Sequence, residues 1–337
     1  MGVKLPVPDL ACPFGDDISP YADDIDRQAV NWARQFDLPG DDAEQARLAG
    51  TRVGRLAART APRANTAALE LLADWQTWLF LFDDRYSDES ATGADLEKLS
   101  HLVTAFMMVL DNGAELRFRA DPFTLALGDL TDRLMAMASA PQAFRFITAV
   151  RGYFLAQFWE AAHRADDRPA GLAEYATMRR HSGAVPTCLA LIDVAGGFEL
   201  AGPEFWRSDV REISDIAVNV TCWANDILSF PKESMRSLAL HSLPAVLAAE
   251  RQLPMADAIA AAVAMHDAEV ARYLQIEEPT RRDAGPELIG YLDGLRYWMA
   301  GNFHWSMETG RYNVAAAPWA TADAATPPGT ASGCYPA

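Results

Sequence analysis

The chain has 337 residues, 50% of them hydrophobic, which is ample material for a buried core in one large domain or two small ones. Its 46 acidic against 29 basic residues leave a formal charge of −17, a field that repels nucleic-acid phosphates and anionic membrane surfaces and so excludes nucleic acid as a partner. An anionic small substrate stays compatible with that field only through bound cations or a local cluster of arginines, and lysine is confined to Lys4, Lys98 and Lys232.

Residues 1–20 carry Pro6, Pro8, Pro13 and several acids but no basic-then-apolar leader pattern, and no later stretch reaches about 18 uninterrupted apolar residues. A cytoplasmic protein without stable membrane insertion is the expectation. Cys12, Cys188, Cys222 and Cys334 are widely spread, with no Cys-x-x-Cys pair, and read as reduced thiols.

From residue 21 to residue 312 apolar positions recur at threes and fours, the helical period, and alternating β-branched runs are rare. The stretch 67–82 is typical: Leu69, Leu71, Leu72, Trp75, Trp78, Leu79 and Phe82 form a broad apolar face. Further helices are expected near 95–110, 123–138, 141–163, 208–230, 255–274 and 288–308, with breaks at 165–169 and at Gly196-Gly197. No repeat and no flexible linker divides the chain, so the pattern predicts one all-α domain over 21–314, of roughly ten or more helices. It follows an N-terminal segment, 1–20, and precedes an Ala, Thr and Pro-rich tail, 315–337, expected to be disordered.

Two segments carry chemistry. The first apolar helix ends in Phe82-Asp83-Asp84-Arg85-Tyr86-Ser87-Asp88-Glu89, where acids at the end of a core-facing helix can project into a cavity that the helix lines. Mg2+ favours such carboxylate oxygens, completed by water and phosphate. Read alone, the segment equally describes a helix dissolving into a solvated acidic loop. The second is Asn225-Asp226-Ile227-Leu228-Ser229-Phe230-Pro231-Lys232-Glu233, in which Asn225, Ser229 and Glu233 stand at i, i+4 and i+8 and fall within about 80° of one another on a helix. Three oxygens in a row suit a metal, and Lys232 beside them suits a phosphate oxygen. The same residues also describe a polar helix face with a kink at Pro231.

An acidic motif followed far downstream by Asn-Asp-x-x-Ser-x-x-Lys-Glu resembles the two metal sites of bacterial class I terpene synthases. Arg179, before His181-Ser182-Gly183, resembles the diphosphate-sensing arginine of that family and the helix break after it, and Arg311-Tyr312 resembles its C-terminal diphosphate clamp. The resemblance spans about residues 21–312. One departure is the acidic motif, Asp-Asp-x-x-x-Asp, whose last acid is one place late. On a helix Asp84 and Asp88 are the i, i+4 pair, with Asp83 about 100° from Asp84, whereas the resemblance points to Asp83 as the main ligand.

The resemblance implies an α-helical bundle open at one end. Three Mg2+ ions would join a prenyl diphosphate to Asp83, Asp84 and Asp88 on one side and to Asn225, Ser229 and Glu233 on the other. Arg179, Lys232, Arg311 and Tyr312 would donate hydrogen bonds to the diphosphate, and the carbonyl of Gly183, after Ser182, would face the carbocation. Aromatic rings suit the wall below the rim. Phe82 and Trp305 are the first candidates, with Trp75, Trp78, Phe154, Phe158 and Trp298 behind them, and core packing is the alternative for each. Family statistics favour farnesyl diphosphate as substrate, ahead of geranyl and geranylgeranyl diphosphate, with cyclisation to a sesquiterpene. A chain-elongating prenyltransferase would be expected to carry two Asp-rich motifs and more lysine, and a helical scaffold would leave the motifs unrelated. No phosphate loop, Gly-x-Gly-x-x-Gly, His-Glu-x-x-His or Gly-x-Ser-x-Gly occurs. Oligomeric state stays open, a homodimer included.

Overall fold

A computed structural model describes residues 8–87, 95–112, 121–166, 169–235 and 241–312. Among these residues the chain is helical and forms no β-strand, in agreement with the all-α pattern. The helices are α1 (Ala22–Gln35), α2 (Asp42–Thr51), α3 (Val53–Thr60), α4 (Thr66–Phe82), α5 (Leu96–Asn112), α6 (Pro122–Met137), α7 (Ala140–Asp166) and α8 (Leu172–Ser182). After two single-turn helices, α9 (Val185–Leu189) and α10 (Ile192–Gly196), and the short α11 (Gly202–Phe205), come α12 (Ser208–Met235), α13 (Leu243–Arg251), α14 (Met255–Arg282) and α15 (Pro286–Glu308). No helix of the described residues is long and apolar enough to cross a membrane. The tail 315–337 lies outside the described residues.

Helix α4 is the centre of the bundle because it is apolar on nearly every side. Asn65 starts it, its side chain accepting the Ala68 N–H at 3.0 Å, and Leu69, Leu72, Trp75, Trp78 and Phe82 are all buried. At its end the helix widens into a π turn over Asp83–Ser87, a local unwinding that places two carboxylates at one end of the bundle. The indole of Trp78 stacks on Phe82 with centroids 5.1 Å apart and donates to the Phe123 carbonyl at 3.0 Å. Phe106 and Phe154 close around the same rings edge-on. This cluster locks α4 against α5, α6 and α7.

The chain bends sharply after α8. Ala184 adopts a left-handed conformation, φ 57°, and Pro186 can only begin a new helix, so the backbone turns away and restarts as α9. Helix α12, by contrast, runs through Pro231 without ending and carries its polar residues to the rim that α4 reaches. It packs on α14 and α15, while α15 and α1 pack on α3.

One buried acid ties the bundle together. The carboxylate of Asp74 on α4 accepts from Arg133 on α6 at 2.8 Å and from Gln28 on α1 at 3.2 Å, and its side chain is fully shielded from solvent. Burial pushes its pKa from 3.8 up to about 7, against the pull of Arg133. A raised carboxyl pKa favours the protonated form in the fold, so its contribution is full below pH 3.8 and is lost as pH rises through about 7. Measured as the difference in melting temperature between wild type and Asp74→Asn, the variant should gain on wild type across that window. A difference that is constant with pH would show that Asp74 does not titrate there.

Candidate active site

Three parts of the sequence meet at the rim above the aromatic cluster. From the C-terminal end of the described chain, Arg311 grips Asp84 with both arms of its guanidinium, at 2.8 and 2.7 Å, and approaches Asp83 at 3.9 Å. Its guanidinium also lies 4.7 Å from the centre of the Phe80 ring. Burial works against the charge of Arg311, but Asp84 outweighs it and holds the pKa above the ordinary arginine value. The π turn thus faces a cation that comes from the far end of the described chain.

On α12, Asn225 joins the other two parts. Its Oδ1 accepts from Arg179 at 3.2 Å and its Nδ2 donates to the Tyr312 hydroxyl at 2.6 Å. Burial pushes the Tyr312 phenol up to about 12, with Glu233 adding to the shift and Arg311 opposing it. Ser229 is one turn along the same face, buried, and its Oγ has no hydrogen-bond partner among the described residues. Glu233 follows one turn further, half-buried. Lys232 lies within α12, but its side chain falls outside what is described, as does Asp88 altogether.

Arg179 is anchored by a residue that the motif reading passed over. Asp226 receives its Nε at 2.9 Å and its Nη2 at 2.7 Å, and also accepts the Tyr175 hydroxyl and, at 2.8 Å, the Leu243 N–H. Burial opposes the charge on Arg179, yet Asp226 holds its pKa well above the usual value. The signal for Asp226 was its place beside Asn225: adjacent residues on a helix point about 100° apart, so one can face the rim while the other faces the arginine behind it. Gly183 is required by space rather than by its backbone angle. A Cβ there would stand 2.7 Å from Cys222 Sγ and 3.1 Å from the Arg179 carbonyl oxygen.

Below Arg179 and Asn225 opens a cavity with about 700 Å³ of empty space, part of it continuous with solvent. Leu56, Leu79, Phe80, Tyr153, Val185 and Trp298 supply apolar wall, and Ser182 and Gly183 face it from the helix break. Gln76, Thr221 and Asn302 add polar groups to the wall, and the amide nitrogen and oxygen of the buried Gln76 have no partner among the described residues. Phe82 and Trp305 are not brought to this surface. Phe82 is held inside the aromatic cluster, and Trp305 donates to the Thr51 and Arg52 carbonyls at 2.9 and 3.1 Å while stacking behind Phe80. Of the other aromatic candidates Trp298 lines the cavity, whereas Trp75, Trp78 and Phe154 pack in the cluster.

The donor set fits a hard divalent cation. Amide, hydroxyl and carboxylate oxygens fall in one row on α12, and the buried Ser229 Oγ is left without a protein partner beside the rim, where a ligand to a cation would need it free. Among the described residues no group of three His, Cys, Asp or Glu side chains is gathered closely enough to hold a metal.

Residues 74–272 match the family described as terpene synthase family 2, C-terminal metal binding. The 4-epi-cubebol synthase of Streptosporangium roseum, named as cyclising (2E,6E)-farnesyl diphosphate, is 31% identical over 94% of this chain and 94% of its own. The (+)-T-muurolol synthase of Roseiflexus castenholzii, named for the same cyclisation, is 36% identical over 90% of this chain and 93% of its own. A crystal structure of a protein from ancestral sequence reconstruction superposes with a TM-score of 0.84 at 27% identity, over 90% of each chain. The 2-methylisoborneol synthase of Streptomyces coelicolor, crystallised with Mg2+ and 2-fluoroneryl diphosphate, shares the fold at a TM-score of 0.82 and 24% identity, over 93% of this chain and 99% of that one.

The Arg179–Asp226 pair makes a direct prediction for stability. Asp226→Asn leaves a buried guanidinium without its counter-charge and should cost on the order of 3 kcal/mol in chemical denaturation. Asp215→Asn, which breaks the exposed Arg180–Asp215 pair at 3.0 Å, should cost less than about 1 kcal/mol. Equal costs would mean that the Arg179–Asp226 pair is no more than a surface contact.

Proposed function

The chain belongs to the terpene synthase family and is an enzyme of that class, and from that premise we propose that it cyclises farnesyl diphosphate to a sesquiterpene hydrocarbon or alcohol, releasing diphosphate. The observation that carries the reading is the convergence of Asp84, Arg179, Asn225, Arg311 and Tyr312 at one rim, where Arg179 and Asn225 line the apolar cavity and Arg311 lies over the Phe80 ring of its wall, although Asp84 and Arg311 stand 227 positions apart. A helical scaffold gives no reason for these residues to meet. The relatives named for farnesyl diphosphate support the substrate.

In this reading Asp83, Asp84 and Asp88 on one side, and Asn225, Ser229 and Glu233 on the other, hold Mg2+, with three ions as the family resemblance suggests. When bound, Mg2+ neutralises the diphosphate and stabilises the charge that develops on it as the carbon–oxygen bond breaks. Arg179 and Arg311 donate to the diphosphate oxygens as planar forks, Tyr312 through its hydroxyl and Lys232 as a point charge. The Gly183 carbonyl faces the allylic cation from the helix break, where a side chain would collide with Cys222. Phe80, Tyr153 and Trp298 present π faces along the wall and exclude water that would quench the cation. Residues 21–314 form the catalytic unit in this proposal, with Phe82 and Trp305 supporting the wall from behind.

The deciding assay offers geranyl, farnesyl and geranylgeranyl diphosphate singly with Mg2+ and analyses the headspace by gas chromatography and mass spectrometry. Cyclic fifteen-carbon product from farnesyl diphosphate, abolished by chelator and restored by Mg2+, is the expected result. A longer prenyl diphosphate would identify a chain-elongating enzyme, and exclusive use of the twenty-carbon substrate would overturn the farnesyl assignment.

Arginine geometry supplies a second expectation. Arg179→Lys keeps the charge but loses the two-armed grip, both on Asp226 and on the diphosphate, so its turnover should fall nearly as far as that of Arg179→Ala, by on the order of 100-fold for one preorganised electrostatic group. Near wild-type kcat in Arg179→Lys would assign Arg179 a purely structural charge.

A further inference from the structure

We infer that Trp298 is a partition which sets the length of prenyl chain this enzyme accepts, because a second cavity continues the same channel directly beneath it. The inference deepens the proposed prenyl diphosphate reading and rests on it. The lower cavity encloses about 770 Å³ of empty space, part of it open to solvent. Four segments show that it lies below the upper one rather than beside it. Helices α4 and α15 both climb toward the rim, since Asp83 follows the one and Arg311 the other. On α4 the upper cavity takes Gln76 and the lower one Leu72, a turn deeper; on α15 the upper takes Asn302 and the lower Gly294 and Gly290. Helix α3 descends and gives Leu56 to the upper cavity and Thr60 to the lower. After the helix break, Cys188 lines the upper and Leu191 the lower.

Trp298 is the one residue common to the two linings, and its side chain is buried, 4% exposed. An indole between two voids has an empty space on either side. Its truncation therefore joins them, where truncation in a close-packed core would leave an isolated hole. The joined channel follows α15 from Trp298 down to Gly290, roughly 12 Å at about 1.5 Å per residue, which is more than one further five-carbon unit needs. Its wall suits that unit: Leu72, Leu191, Ile192, Ala195 and Phe198 are apolar, while at the edge Asp293 is paired with Arg281 at 2.9 Å and Arg63 lies over the Tyr297 ring at 5.7 Å.

The test uses the full chain with Mg2+ and compares wild type, Trp298→Ala and the milder Trp298→Leu. Relative kcat/KM for geranylgeranyl over farnesyl diphosphate is measured, together with the affinities of the unreactive thiolodiphosphate analogues of both. Both ratios should rise by about tenfold or more in each variant, the scale on which a hydrophobic pocket discriminates chain length. Ala61→Phe, which refills only the lower cavity, should reverse the gain in the Trp298→Ala background. A folded variant with unchanged ratios overturns the inference, and so does a gain that survives Ala61→Phe. A shift of the farnesyl products toward alcohols with no gain on the longer chain also overturns it, since it would show water rather than substrate in the lower cavity. If wild type turned over none of the prenyl diphosphates, the proposed activity would fail, while the analogue affinities would still decide the partition.

Discussion

Arg179 and Arg311, largely shielded from solvent at the rim of an apolar cavity, have the desolvation of their charge offset by carboxylates set against them. The pairs Arg179–Asp226 and Arg311–Asp84, at 2.7 Å each, therefore fix what surrounds them. Asp226 is also the acceptor for Tyr175 and for the Leu243 N–H, so the end of α8, the middle of α12 and the start of α13 are joined at one carboxylate. Asp84 holds the end of the described chain on the π turn after α4. Asn225 connects the two pairs, its amide oxygen toward Arg179 and its amide nitrogen toward Tyr312, and so requires one orientation of the side chain. Removing Arg179 would leave the buried Asp226 carboxylate uncompensated, the costly direction for a buried pair.

The apolar half of the site follows from the same economy of space. The backbone at Ala184 is left-handed and Gly183 has no room for a side chain, so the chain can turn in against α12 at the level of Cys222 and present its polar backbone groups to the cavity. Phe80 stands where the two halves meet. One face lies under the Arg311 guanidinium, its ring stacks with Trp305 at 5.4 Å, and it lines the cavity below. Through that stack a tryptophan that does not reach the cavity surface still fixes the position of a ring that does.

Helical periodicity was a good guide to most of the architecture and a poor one to which faces look inward. The stretch read as 67–82 is α4 within one residue, and 288–308 is α15 within two. Helix α14 runs eight residues beyond the expected 274, through Pro279, because Arg281 on its last turn is held by Glu277 at 2.6 Å and by Asp293. Helices α1, α2 and α3 were not resolved as separate elements: Arg52, between α2 and α3, takes a left-handed conformation that no glycine announces. On α4 a face analysis fails for a physical reason. The helix is buried on almost every side, so an apolar stripe cannot tell the cavity from the core, and Phe80 and Gln76 reach the cavity while Phe82 and Trp78 do not. Arg179, Asn225, Arg311 and Tyr312, which the fold does bring together, stood out because the chemistry proposed for them demands particular side chains at particular spacings. Asp226 did not, since it acts through an arginine, and Trp298 stood among several aromatic wall candidates that periodicity could not rank.

Charge accounts for the last feature, the need for metal in an enzyme so rich in acid. At the rim and directly behind it, Asp83, Asp84, Glu233 and the buried Asp226 stand against Arg179 and Arg311, four carboxylates against two guanidiniums, and Lys232 brings at most a third cation from the sequence. A diphosphate added to that set meets a protein that is net negative both locally and, at −17, as a whole. The arginines cannot serve it freely, because each is already engaged by a carboxylate. Divalent cations held by the surplus acids, as proposed above, would resolve the conflict in both directions, since they would also bring their own charge to the anion. The unpartnered Ser229 Oγ, buried in the row between Asn225 and Glu233, fits the same logic: a buried hydroxyl with no partner among the described residues is a cost that a bound cation would relieve. An acidic surface then becomes compatible with an anionic substrate only when the metal comes with it, which couples recognition of the diphosphate to the ion that activates it.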